Sequence, residues 1–160
     1  MSDTSKLTQL GGAPMPPRYE NPSAAILEVF DNTHPGADWV VELDCLEFTS
    51  LCPVTGQPDF GRIHIHYVPG ALCVESKSLK LYLGAYRNHG SFHEDCVNRI
   101  AGDLQSVLSA RMLRVYGDFH VRGGIAIRPL ALRWGPGLGE DERRDCLTLL
   151  GQHDAVRPRG

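Results

Sequence analysis

One thiol, Cys52, stands seven positions before one carboxylate, Asp59, in the segment SLCPVTGQPDF at residues 50–60. A thiolate is a nucleophile, and a carboxyl group within reach can take up or return its proton, so the pair suits covalent addition to an electrophilic carbon. Pro53, Gly56 and Pro58 punctuate the interval, and residues 54–57 read as a turn. The segment should therefore double back and aim both side chains at one ligand. A small buried residue beside a turn-capping aspartate has the same local pattern, so the neighbouring segments must decide between the two.

Further along, VESKSLKLY at residues 74–82 joins a strand end to a helix start and sets Lys77 and Lys80 three residues apart, on one side of a helix. Such a pair is either a solvated charged face or an anion site. Arg122, beside Gly123 and Gly124, offers a planar donor fork to the same anion if the fold brings the turn close. In NHGSFHED, His93 has a reference pKa near ~6.5 that suits proton exchange at neutral pH. Glu94 stands third after Ser91, the spacing of a capping box. A carboxylate at a helix start can also accept from the amino and ring N–H groups of a guanine-like base, and Glu75 is a second candidate for that task.

Metal chemistry is not favoured. His64 and His66 share one face of a strand, and His89, His93 and Cys52 would have to converge on them, but no HExxH, CxxC or clustered Cys/His pattern is present. The expectation is no metal. A GxGxxG fingerprint following a strand is missing as well, so any dinucleotide is held by another device.

These residues need a scaffold. Residues 39–48 and 62–68 alternate apolar and polar side chains and read as half-buried strands, with a short extension at 72–75. Residues 76–86 read as a short amphipathic helix bearing the basic stripe. Ser91 opens a longer helix whose core face is Val97, Ile100, Ala101, Leu104, Val107 and Leu108. Residues 112–121 and 124–130 read as a hairpin turning at Arg122, Gly123 and Gly124. Strand pairs around two helices predict an α+β fold, an antiparallel sheet with both helices on one face. A sheet of about four strands has two open edges, which predicts assembly into a homo-oligomer that closes them.

Chain length and composition fit this. With 160 residues and 42% hydrophobic content, one core is expected, in a domain over 25–134, after a flexible arm over 1–24 and before a loop with a weak helix or tail over 135–160. Five irregularly spaced cysteines suit a reducing compartment. No apolar run approaches the roughly 20 residues of a membrane helix and the first residues lack an apolar signal core, so the expected location is the cytoplasm. The net charge of −3 gives no global field for nucleic acid.

SLCPVTGQPDF, VESKSLKLY, RNHGSFHEDCVN and VRGGI occur in the order and spacing of one family. Over about residues 38–130 the chain resembles the QueF family, the NADPH-dependent 7-cyano-7-deazaguanine (preQ0) reductases of queuosine tRNA-modification biosynthesis, in its short single-domain form. The resemblance implies a tunnelling fold, with subunits closing their sheets into a pentameric barrel and pentamers pairing as a decamer. It implies Cys52 as nucleophile, Asp59 as general acid and His93 as a second proton source. Val74, Glu75, Ser76, His93 and Glu94 would contact the deazapurine, and Lys77, Lys80 and Arg122 the NADPH phosphates, at subunit boundaries. The implied reaction turns the nitrile into the aminomethyl product (preQ1) through a cysteine thioimide, with two NADPH. Cys96, two residues after Glu94, is either a packed core thiol or a partner that traps Cys52 as a disulfide. Since fold does not fix function, a zinc-dependent cyclohydrolase or pterin-type enzyme and a non-catalytic deazapurine-binding module are the alternatives.

Overall fold

A computed structural model describes residues 21–156. Most of the expected arm therefore lies outside the described residues. After a 3-10 turn at Ala24–Ile26, the elements are β1 (Val29–Asp31), β2 (Val41–Leu51), β3 (Pro58–Val68), β4 (Leu72–Val74), α1 (Ser76–Gly84), α2 (His93–Leu108), β5 (Met112–Phe119), β6 (Leu130–Trp134) and α3 (Glu140–Val156). Antiparallel pairing builds one sheet in the order β2-β3-β5-β6, and β1 pairs with β4 as a separate ribbon. The fold is α+β with antiparallel sheets.

Alternation along β3 sets the two faces of the larger sheet. Ile63, Ile65 and Tyr67 are buried in a core with Val97, Ile100, Ala101, Leu104 and Leu108 of α2 and Leu79, Tyr82 and Leu83 of α1. Every residue of the expected α2 core stripe joins this cluster except Val107, which packs partly buried against it. The tyrosines buried there keep their hydroxyls satisfied: Tyr82 donates to Asp103 at 2.7 Å and lies 3.0 Å from the Tyr86 hydroxyl.

Two local expectations are corrected. The capping box at Ser91 does not form: α2 begins at His93, Phe92 stands at its N-cap without a side-chain bond, and Ser91 donates its N–H to the Leu51 carbonyl beside a parallel bridge from Leu51 to Gly90. That pairing with the end of β2 fixes the chain one residue before the helix can start. The turn at Gly123 and Gly124 forms with positive φ at both and mutual Arg122–Ile125 bonds. The regular strands, however, stop at Phe119 and resume at Leu130, after Pro129, which has no N–H to give. β1 lay unread, since three residues carry too little pattern. Beyond Trp134 a loop leads into α3, a helix of 17 residues, the helical one of the two expected alternatives.

α3 lies on the sheet face opposite α1 and α2. Its Cys146 and Leu150 pack with Val68 and Met112 beside Trp134 and Leu138, and Arg114 on β5 makes two bonds to Asp154 at 2.7 and 2.9 Å. α3 thus covers part of the second face, on which Leu130 and Leu132 of β6 stay exposed, and the sheet keeps its two edges, β2 and β6. No helix among the described residues is long and apolar enough to cross a membrane.

Leu150, only 4% exposed, tests this docking. Leu150→Ala is expected to lower stability by about 2–4 kcal/mol in denaturant unfolding followed by circular dichroism. An unchanged midpoint would mean that α3 is not part of the cooperative unit.

Candidate active site

The β2–β3 hairpin delivers the thiol. Cys52 follows the last residue of β2, donates its N–H to the Gln57 carbonyl at 2.8 Å, and accepts from Gly56 N–H at 2.9 Å. Gly56 takes φ +68°, a left-handed conformation that glycine adopts at no steric cost and that closes the turn. The turn then folds over the sulfur. The Thr55 hydroxyl and the N–H groups of Thr55 and Val54 donate to it, and with the Arg122 charge they lower the Cys52 pKa to about 7 against a smaller opposing effect of burial. Donors that favour the anion have this effect on a thiol. Thr55 thus acts on the sulfur, a role its place in the turn did not disclose.

Asp59, second residue of β3 and register partner of Ser50, is 4% exposed. A buried carboxylate needs compensating partners. Arg122, from the β5–β6 connection, places Nη1 on Oδ1 and Nη2 3.4 Å from Gln57 Oε1. On the other side His93 Nε2 lies 3.2 Å from Oδ2, within ion-pair distance but off the line of the ring N–H. The His93 ring stacks on Phe119 with centroids 4.0 Å apart and planes at 16°, which fixes its orientation at the start of α2. Cys96, a turn further on, is buried, and its thiol pKa is raised by that burial against hydrogen bonds from Ser91 and Ser50. All five cysteines are free thiols.

The two base-reading candidates exchange their expected capping roles. Glu75 is the N-cap of α1, its Oε1 and Oε2 accepting from Lys77 N–H at 2.8 Å and Ser78 N–H at 2.7 Å, and it is buried. Glu94 is exposed in the first turn of α2, and Asn98 donates to its main-chain carbonyl. Val74 is buried at the end of β4, and Ser76 opens α1 in contact with solvent.

A groove of about 700 Å³ runs between β2 and α1, lined by apolar Leu43, Phe48, Leu79 and Leu83 and by Ser76, Lys80 and Arg87. Cys52, Asp59, His93 and Arg122 do not line it. Within one chain the structure gathers those four residues in one place and the helix lysines in another, and Arg122 sides with Asp59. His64, His66, His89, His93 and Cys52 do not gather into a metal-binding group among the described residues.

A thiol with a pKa about 7 is protonated below that pH and mostly thiolate above it. The rate of Cys52 alkylation by iodoacetamide should therefore rise with pH to a half-maximum near 7. Thr55→Val, which removes the leading donor, should move that midpoint up toward the ordinary cysteine value near ~8.5. An unmoved midpoint would remove Thr55 from the site.

The model of one protein family, described as QueF-like protein, matches residues 58–133. An NADPH-dependent 7-cyano-7-deazaguanine reductase of Streptococcus thermophilus (strain ATCC BAA-491 / LMD-9) is 54% identical over 127 residues, covering 79% of this chain and 77% of that one. The enzyme of the same name from Bacillus cereus (strain AH187) is 52% identical over 132 residues, 82% of this chain and 79% of that one. Among solved structures, the archaeosine synthase QueF-Like in the apo form is similar with a TM-score of 0.57 at 16% identity, covering 64% of this chain and 99% of that one, a likeness of fold. With more than half of the aligned residues identical to such relatives over most of both chains, this chain belongs to the QueF family of NADPH-dependent 7-cyano-7-deazaguanine reductases.

Proposed function

We propose that the chain is an NADPH-dependent nitrile oxidoreductase that converts 7-cyano-7-deazaguanine to 7-aminomethyl-7-deazaguanine in queuosine biosynthesis. The identity to reductases of that name supports the reading. The observation that carries it is the thiol: Cys52 holds a pKa about 7 and feels the charge of Arg122, which also meets the buried Asp59 carboxylate, itself within ion-pair distance of His93.

A nitrile carbon is a weak electrophile, and direct hydride addition would put negative charge on a nitrogen that carries it poorly. Thiol addition removes that difficulty. Cys52 sulfur bonds to the nitrile carbon, one C–N π bond opens, and the proton leaving the thiol reaches the nitrogen through Asp59, giving a covalent thioimide. NADPH, when bound, supplies two hydrides in succession to that carbon. Asp59 and His93 deliver a proton to nitrogen with each reduction, and between the two the C–S bond breaks to return Cys52. The sum is one nitrile, two hydrides and two protons to one primary amine. Arg122 holds Asp59 in place and steadies charge on the sulfur.

Glu94 at the start of α2 is the carboxylate best placed to accept from a guanine-like edge, since Glu75 already accepts from two main-chain N–H groups. Val74, Ser76 and His93 complete the substrate contacts. For NADPH, Lys77 and Lys80 would meet the phosphates, and the groove beside α1 combines that basic character with an apolar wall suited to an aromatic ring. Arg122 reaches a phosphate only by sharing or releasing Asp59. With the four reacting residues and the groove apart in one chain, closure of the β2 and β6 edges between subunits is the arrangement that completes the site, as a homo-oligomer of the barrel type. Light scattering that finds only a monomer at working concentration would overturn this assembly.

Mixing the protein with 7-cyano-7-deazaguanine without NADPH should give an adduct carrying the whole substrate mass, seen by intact-protein mass spectrometry. Cys52→Ala should abolish it. Asp59→Asn should slow its formation by about 10²–10⁴-fold with substrate binding largely kept, because an amide transfers no proton. NADPH consumption, two per product, completes the test. An adduct on Cys52→Ala, or no NADPH oxidation by the native chain, would overturn the proposal.

A further inference from the structure

On the sheet face turned toward α3, histidines of β3 stand opposite carboxylates of β2 on successive rungs. His64 Nδ1 lies 2.5 Å from Asp44 Oδ1, a closed pair beside Tyr116. One rung on, His66 faces Glu42 with Nε2 at 3.7 Å from Oε1, and here α3 adds a third group, His153, whose Nε2 is 3.1 Å from Glu42 Oε2. One ligand atom from each of Glu42, His66 and His153 lies within 4.8 Å of the others. The His66 and His153 rings meet edge to face with centroids 5.5 Å apart.

We propose that Glu42, His66 and His153 form a binding site for one divalent transition ion of the zinc class, which fastens α3 to β2 and β3. Two imidazole nitrogens and a carboxylate are a set that zinc and its neighbours take, whereas magnesium and calcium prefer all-oxygen cages. Ligand atoms about 2.0–2.2 Å from a tetrahedral ion stand roughly 3.3–3.6 Å apart. The observed separations, 3.7 Å from His66 Nε2 to Glu42 Oε1 and 3.1 Å from His153 Nε2 to the other oxygen, Oε2, lie close to that range, and side-chain rotations from a spread of at most 4.8 Å bring one atom of each residue into it. His66 is 1% exposed and anchored in the central sheet, so it needs no reordering to serve as a ligand.

The surroundings support a cation. His153 Nδ1 faces Asp154 Oδ1 at 3.7 Å, the position of an outer carboxylate behind a ligating histidine. Arg114 donates two hydrogen bonds to Asp154, at 2.7 and 2.9 Å, and that pair neutralises the guanidinium that would otherwise repel the ion. The ligand set itself carries one negative charge with both imidazoles neutral. This group shares no residue with the Cys52 site, so the ion is structural and takes no part in nitrile reduction.

The untagged full chain carrying Cys52→Ala, so that its reactive thiol cannot contribute, is stripped with chelator and titrated with Zn²⁺ by calorimetry and with Co²⁺ by absorption. One ion per chain is expected, with cobalt d–d bands and no thiolate charge-transfer band, and a higher thermal midpoint in the presence of Zn²⁺. Glu42→Gln, which preserves shape, and His153→Ala should each weaken binding at least tenfold, while His120→Ala at an exposed position should not. Absence of binding, a thiolate band, or affinity indifferent to both Glu42→Gln and His153→Ala would overturn the site. Circular dichroism of each metal-free variant separates lost binding from lost folding.

Discussion

The buried carboxylate of Asp59 is the constraint on which the site depends. A charge at 4% exposure is tolerable only when partners meet it, and the two that do come from distant parts of the chain: Arg122 lies 63 residues away in sequence and His93 opens α2. Satisfying one side chain therefore fixes three segments relative to one another, the start of β3, the turn after β5 and the first turn of α2. Removing either partner would leave the carboxylate short of compensation, so the candidate site is also a tertiary lock.

The thiol is held by a different device, and the difference matters for reactivity. Cys52 is activated mainly by the Thr55 hydroxyl and two main-chain N–H groups within its own turn, with the Arg122 charge a lesser influence. Those donors travel with the sulfur because the hairpin register, with Leu51 opposite Pro58, leaves six residues to form the loop and Gly56 alone takes the left-handed step. Cys52 and Asp59 are thus held separately, one by local turn geometry and one by long-range pairing, and both meet at Arg122.

What was legible in the sequence follows from which interactions are periodic. Ile63, Ile65 and Tyr67 against His64 and His66 announced β3, and Val97 to Leu108 announced α2, because a two-sided strand and a one-sided helix repeat their pattern over many residues. α3 gave no such signal: its first turn is Glu140, Asp141 and Glu142, and only Cys146 and Leu150 are buried, a stripe too narrow to separate from a solvated helix. Arg122 on Asp59 and His153 beside His66 depend on register and docking, which no local window contains, and Thr55 on the thiol depends on how its own turn closes, which residue types alone do not show. The capping box at Ser91 failed for the same reason, since pairing of Gly90 and Ser91 with Leu51 overrode a valid local motif.

That override has a functional consequence. Had Ser91 capped α2, Glu94 would have been turned back on the helix start. Instead the parallel bridge to the end of β2 draws residues 90 and 91 toward the turn that carries Cys52, and α2 starts at His93, which puts that ring against Asp59 and leaves Glu94 exposed. Glu75, with both oxygens already accepting N–H groups, holds the β4–α1 junction rigid. One pair of main-chain hydrogen bonds at Leu51 therefore goes with the start of α2 at His93, with Glu94 left exposed and the His93 ring set against Asp59.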